Sequence, residues 1–247
     1  MSSFLIIRPY QEEDCSNCRE IIKDYIMSFA NRSFLSCLFK EITIQCIVIV
    51  WAILFIFLGV PLALCALSIP GCILGIFLAS HISCFLKAAE LINERPKICW
   101  VAEAYEPFIL KTKPAELTYE IFENESPYDK NYLNKFRHKL VGTISIKNHN
   151  SIPNAAFVYR LAINPHYAFN AIAAPMLNIV GKSCFENNYR TIELVITEWQ
   201  EEARDLCNNL GFITRQIYHK QIIGSNLCVT KSQLTADLYE WFSMKTE

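Results

Sequence analysis

The sequence predicts a mixed α/β domain, a central sheet flanked by helices, into which a transmembrane helical hairpin is inserted. Three observations carry that prediction. An uncharged run extends from Ile42 to Leu86 while all 47 charged residues lie outside it, soluble-type sequence stands on both sides of the run, and strand and helix patterns alternate after it. About 20 apolar residues span a bilayer core as one helix, so the run has the length for two crossings and is too long for a soluble core helix.

The chain opens with Phe4-Leu5-Ile6-Ile7-Arg8, a strand that Pro9 ends ahead of the polar Gln11-Glu12-Glu13-Asp14. A helix capped by Asp14 follows. Its apolar positions Ile21, Ile22, Tyr25, Ile26 and Phe29 recur at helical spacing and give one face to pack on a sheet. Within the apolar run, Gly59-Val60-Pro61 and Ser68-Ile69-Pro70-Gly71 are break points. They divide the run into expected spans at Ile42–Val60 and Gly71–Leu86, with a single tilted span as the alternative. Arg32 and Lys40 before the run, and Lys87, Arg95 and Lys97 after it, give both flanks a cytosolic character. The lipid bilayer is therefore an expected partner. The organisation reads as residues 1–41, an N-terminal strand and helix; 42–86, the membrane hairpin; and 87–247, the remainder of the same domain.

After the run, Cys99 to Ala104 and Leu140 to Ile146 read as strands, separated by a polar excursion from Glu106 to His138 that contains Pro107, Pro114 and Pro127. That excursion either shapes an acceptor site or covers a sheet edge. Ala156 to Ile163 is the strongest strand pattern, and Thr191 to Ile196 the next. Met176, Leu177, Val180 and Cys184 between them have helical periodicity. A second helix, Gln200 to Leu210, ends at Gly211, and Phe212 to Ile223 continues as strand. A last helix is expected to start at Ser232, with Leu234, Leu238, Trp241 and Phe242 on one face.

Composition excludes several function classes. A net charge of −1 gives no nucleic-acid footprint. The 11 cysteines are scattered, and Cys46, Cys65, Cys72 and Cys84 lie inside the apolar run, where cysteine acts as a small hydrophobe; this is no disulfide framework. Cys15-x-x-Cys18 has no second pair, so no metal site is expected.

In this order of elements the chain resembles the acetyltransferases of the GNAT superfamily, and within it the camello-like, membrane-anchored N-acetyltransferases that include cysteine-S-conjugate N-acetyltransferases. The stretches that carry the resemblance are Ile7-Arg8-Pro9-Tyr10-Gln11-Glu12-Glu13-Asp14, an apolar hairpin after the first helix, Cys99-Trp100-Val101-Ala102-Glu103, Leu140-Val141-Gly142, Leu161-Ala162-Ile163 and Asn209-Leu210-Gly211-Phe212. The resemblance implies a GNAT acyl-CoA N-acyltransferase fold on an endomembrane such as the endoplasmic reticulum. It also implies acetyl-CoA as donor, a primary amine as acceptor and no metal. If the first strand shares a sheet with those after the run, the insert crosses the membrane an even number of times.

The resemblance further implies that a splayed strand, here Tyr159 to Ile163, lends backbone N–H groups to the thioester oxygen, with Leu161 and Ile163 as the contacts and Ala162 between them. The pyrophosphate segment aligns with Ala168-Phe169-Asn170-Ala171-Ile172-Ala173, where the family has Gln/Arg-x-x-Gly-x-Gly/Ala. Ala168 replaces the basic or amide residue and Ala171 the glycine. Pro175 leaves two alternatives: a helix capped by Asn170 that the proline interrupts, or one that begins at Pro175. Where the family has a tyrosine to protonate the thiolate, this chain has Cys207. Glu193, Glu103 and His166 complete the candidates, the two carboxylates as general bases and the histidine as a phosphate contact. These departures leave a second reading open, a GNAT fold that has become a binding or regulatory module.

Overall fold

The computed structural model describes residues 3–94, 98–108, 113–124, 128, 130–149, 151–223 and 227–243. Arg95 and Lys97, read above as basic flanks, lie outside the described residues, as do parts of the excursion. The elements are β1 (Phe4–Pro9), α1 (Cys15–Ser28), α2 (Ala30–Leu38), α3 (Glu41–Ile56), α4 (Leu62–Cys65), α5 (Ser68–Asn93), β2 (Ile98–Pro107), β3 (Glu120–Glu123) and α6 (Lys130–Leu133). They continue as β4 (Phe136–Asn148), β5 (Ala155–Ile163), α7 (Phe169–Glu186), β6 (Thr191–Thr197), α8 (Glu201–Asn209), β7 (Ile213–Ile223), β8 (Leu227–Asp237) and α9 (Leu238–Ser243).

Among the described residues the strands form one mixed sheet in the order β3-β1-β2-β4-β5-β6-β8-β7. β1 precedes the apolar run and β2 follows it, yet the two pair antiparallel from Phe4↔Tyr105 to Pro9↔Trp100. The run is thus an insertion within one sheet. Arg8 fixes the start of the fold: its guanidinium forks onto both carboxylate oxygens of Asp14 at 2.8 and 2.9 Å and reaches Glu103 on β2 at 2.5 Å. Asp14 stands at the N-cap of α1, but its side chain does not cap that helix. Its oxygens serve Arg8 and the Gln11 N–H instead.

The sheet is covered on both faces. α1 lies over β4 and β5 with α5 beside it, and α7 packs on the opposite face. That face is tight, since a Cβ added at Gly142 of β4 would meet Met176 Sδ at 3.0 Å and the Ile172 side chain at 3.2 Å, both from α7. Ile172, Met176, Leu177, Val180 and Cys184 form the buried stripe that the helical spacing predicts. Further along α7, Gly181 admits the ring of Trp241 from α9, which a Cβ would approach to 2.6 Å.

Within the insert, α3 ends at Ile56, just ahead of the first expected break, where Gly59 adopts φ +61° and Pro61 follows. The second expected break does not occur. Pro70 and Gly71 lie in the first turn of α5, where a missing N–H costs nothing. α5 has 26 residues, roughly 39 Å at 1.5 Å per residue. Its C-terminal half carries small residues at fourfold spacing, Ser80, Cys84 and Ala88, buried against the packed α1 and α2. Its other faces leave Leu74, Leu78, Ile82 and Leu86 exposed, and α3 likewise exposes Val48 and Ile56. Among the described residues one helix, Leu62–Asn93, is long and apolar enough to cross a membrane. A second span arises if the bent pair Glu12–Leu38 and Thr43–Ile56, set at 60°, counts as one.

Two other elements differ from the sequence expectation. Residues 232–237 are strand, not helix: Ser232, Leu234 and Ala236 are buried on one face with period two, and the segment pairs with both β6 and β7. The helix starts only at Leu238. Leu234 and Leu238 fit both periods, which hid the boundary. Within the excursion, β3 pairs parallel with β1 at the sheet edge, so its described part covers that edge.

Candidate active site

β5 and β6 run parallel and pair only from Ala155↔Thr191 to Val158↔Leu194. Beyond Val158 the two strands part, and residues Tyr159 to Ile163 of β5 have no strand partner on that side among the described residues. Their other edge is held by β4, from Gly142↔Ile163 to Ser145↔Arg160. The Asn164 N–H donates to the Val141 carbonyl at 2.8 Å. Because successive N–H groups of a strand point to opposite edges, those of Leu161 and Ile163 point into the opening. They are the donors expected for a developing thioester oxyanion, and neither needs a side-chain signature.

A cleft of about 200 Å³ occupies the mouth of this opening. Ile163, Asn164 and Pro165 form its floor, Phe169 at the start of α7 one wall, and Gln200 to Ala203 of α8 another; Tyr25 and Phe29 of α1 and Arg32 of α2 close it. α7 starts at Phe169 with Ala168 as N-cap and no side-chain cap, so its first-turn N–H groups are available to an anion. The helix continues through Pro175, and both sequence alternatives are corrected: Asn170 is the second helical residue, and Pro175 is interior. The proline removes one helical hydrogen bond and leaves the Ala171 carbonyl without its usual donor.

Of the expected phosphate segment only Phe169 lines the cleft, while Ile172 and Ala173 are core residues. The cation at the cleft is Arg32, which the sequence offered only as a membrane flank. His166 is exposed outside the cleft, and its N–H donates to Asn164 Oδ1 at 3.1 Å.

The side-chain candidates for acid and base are placed differently from the expectation. Cys207 is 1% exposed on the buried face of α8 and does not line the cleft, and burial pushes its thiol up to about 12. Its carbonyl accepts the Phe212 N–H at 2.9 Å, while Gly211, at φ 86°, donates to Asn208; the pair closes α8. Glu193 is fully buried on β6. One oxygen accepts from Arg215 and the other from Gln233, each at 2.6 Å, with His149 at 3.4 Å. Glu103 is engaged by Arg8.

Tyr25 was visible in the sequence only as one apolar position of α1. It crosses from α1 to the mouth of the splay, stacks on Phe169 at 5.9 Å and meets Phe29 edge-on at 5.0 Å. Burial pushes its phenol well above the usual range, although the hydrogen bond from Gln200 acts in the other direction. Gln200 Nε2 donates to the phenol oxygen at 3.3 Å, and its Oε1 accepts from the Thr197 N–H at 3.0 Å. Among the described residues, no group of three or more His, Cys, Asp or Glu is arranged to hold a metal ion.

The sequence profile of the acetyltransferase (GNAT) family matches residues 95–212, from just before β2 through α8. A search of curated proteins gives no match. Among solved structures, the chain is similar to an N-acetyltransferase from Staphylococcus aureus Mu50 at 10% identity, over 95% of this chain and 98% of that one, with a TM-score of 0.48. It is also similar to spermidine/spermine N-acetyltransferase from Vibrio cholerae at 13% identity, over 66% of this chain and 78% of that one, with a TM-score of 0.41. With the parted parallel strands, the open N-terminus of α7 and the matched segment together, the chain is an enzyme of the GNAT acetyltransferase fold that takes its acyl group from acetyl-CoA.

Proposed function

We propose that this protein is a membrane-anchored N-acetyltransferase of the camello-like type, acting on a primary amine such as an amphipathic amine, a cysteine conjugate or a protein amine. The observation that carries the proposal is the free edge of β5 beside a cleft that leads to the N-terminus of α7. In this reading the thioester carbonyl rests on the Leu161 and Ile163 N–H groups, with Ala162 between them. Preorganised donors of this kind act where negative charge develops, at no reorganisation cost during the reaction. Ala168, Phe169, Asn170 and Ala171 present helix-terminal amides to the pyrophosphate, and Arg32 supplies the cation that Ala168 does not. The amine enters past Glu201 and Glu202 at the mouth, whose carboxylates attract its protonated form. Glu193 serves the site by holding β6 to β7 and β8 through Arg215 and Gln233 at the base of the splay.

Membrane anchoring rests on the exposed apolar surfaces of α3 and α5 and on the length of Leu62–Asn93. β1 and β2 lie on either side of the insert and share one sheet, so residues 42–86 return to the side they left. A hairpin satisfies that condition, with residues 1–41 and 87–247 joined as one domain on the cytosolic face of an endomembrane such as the endoplasmic reticulum. A site held at that surface suits acceptors that partition into lipid.

The second reading, a binding or regulatory module without transfer activity, is favoured by one observation: the aromatic closure by Tyr25, Phe29 and Phe169 leaves a cleft smaller than the usual 300–1,000 Å³ of small-molecule sites. Thiol release from acetyl-CoA by the detergent-solubilised chain, with dodecylamine and S-benzylcysteine as acceptors, separates the two. Amine-dependent release supports transfer; tight acetyl-CoA binding with no release on any amine supports the module.

A further inference from the structure

We infer that Tyr25 of α1 donates the proton taken up by the departing thiolate of coenzyme A, and that Gln200 is its positioning residue. The inference rests on the acetyl-transfer reading above and names the group that completes it. In the reaction the neutral amine nitrogen attacks the thioester carbonyl carbon, the C–S bond breaks, and its electron pair leaves on sulfur. The phenol proton moves to that sulfur. The new amide nitrogen gives its surplus proton to solvent, and solvent reprotonates the phenolate, so protons balance over one turnover.

The geometry that points to Tyr25 is the direction of one hydrogen bond. Gln200 Oε1 accepts from the Thr197 N–H at 3.0 Å and lies 3.1 Å from Thr197 Oγ1. A backbone N–H can only donate, so this oxygen is fixed and Nε2 must face Tyr25, 3.3 Å away. The amide nitrogen is a donor only. The phenol oxygen therefore accepts from Gln200 and keeps its own proton for another acceptor, in a cleft that Ile163 also lines. A protonated phenol held this way beside the parted strands is a proton donor without a recipient among the described residues.

The expected donor is displaced for a physical reason. Cys207 lies on the buried face of α8 and does not line the cleft. Tyr25 comes from α1, which lies over β4 and β5, and stacks on Phe169 at the start of α7 in the cleft that Ile163 lines. Its burial matches the task, since a thiolate expelled into the same dry site is itself a stronger base than in water.

Tyr25→Phe keeps the ring contacts with Phe169 and Phe29 and removes only the donor. With acetyl-CoA and dodecylamine, it should lower kcat about 100-fold while acetyl-CoA affinity by calorimetry stays within about twofold, the usual scale of general acid catalysis. Gln200→Glu tests the positioning role and guards against misfolding of the first variant. Its carboxylate accepts from the phenol instead of donating to it, so kcat should fall at neutral pH and recover as pH drops through the carboxyl's titration. A purely structural tie gives no such recovery. Tyr25→Phe turning over within about threefold of the native chain would overturn the inference and leave the acetyl-transfer reading intact. A native chain that binds acetyl-CoA yet releases no thiol with dodecylamine or S-benzylcysteine would overturn both.

Discussion

Arg160, in the central strand β5, caps the long apolar helix α5: its Nη2 donates to the Leu91 carbonyl at 2.5 Å and to the Glu94 carbonyl at 2.7 Å. The last carbonyls of a helix have no internal partner and carry its negative end. Here a buried guanidinium from the strand that bears the proposed oxyanion donors meets them. The insert is thereby tied to the sheet by a charged group within the site's own strand. Arg160→Met keeps much of the apolar stem and strands both carbonyls. It should cost about 1.5–3 kcal/mol, the range for charged hydrogen bonds, read as a lower urea midpoint in detergent, with Arg160→Lys intermediate.

Acid should loosen the other end of the sheet. Burial pushes the Asp14 carboxyl up, but the Arg8 hydrogen bonds and the Gln11 N–H outweigh it and hold it below its ordinary 3.8. A carboxyl depressed on folding contributes stability that is fully present above its unfolded pKa and lost as pH falls through the folded one. The urea midpoint of the native chain should therefore drop as pH falls below about 4. Asp14→Asn should start lower at neutral pH and show a shallower acid limb. Parallel curves for the two would contradict the assignment.

Gly181 tests the packing behind the site. Alanine is the better helix former by about 0.8–1.0 kcal/mol, yet its Cβ would press to 2.6 Å from the buried ring of Trp241. Gly181→Ala should therefore be net destabilising, because overpacking costs about 1–3 kcal/mol. The thermal midpoint and the fluorescence of the indole report it. A more stable variant would mean that α9 moves freely against α7.

At the phosphate end, Arg32→Ala should weaken acetyl-CoA several-fold and leave pantetheine, which has no pyrophosphate, unaffected. Ala168→Arg should tighten acetyl-CoA about tenfold by adding a charge-assisted contact at the start of α7. Raising ionic strength should weaken the Ala168→Arg protein more than the native chain.

Much of this architecture was legible in the sequence, because β1, β2, β4, β5, β6 and β7 each carry a strand pattern of their own. Ala156 to Ile163 and Thr191 to Ile196 announce β5 and β6, and the proposed donors at Leu161 and Ile163 come from the family resemblance. β8 was missed because Leu234 and Leu238 satisfy a helical period as well as an alternating one. Pro70 was misread as a break since a first-turn proline and an interrupting one look alike without the helix start. The side chains of the site were the least legible. Tyr25 and Arg32 are near neighbours in sequence, but they reach a cleft formed with Phe169 and Gln200 only after the chain leaves for the apolar insert and returns. Glu193 resembles a surface residue on an alternating strand, and only the pairing of β6 with β8 and the approach of Arg215 show why it is buried.

The most direct test of the central claim is calorimetric titration of the detergent-solubilised chain with acetyl-CoA, with desulfo-CoA and pantetheine as competitors. Binding that desulfo-CoA displaces and pantetheine does not is expected if the amides at the start of α7 and Arg32 hold the pyrophosphate as proposed. A folded chain that fails to bind at millimolar acetyl-CoA would contradict that claim.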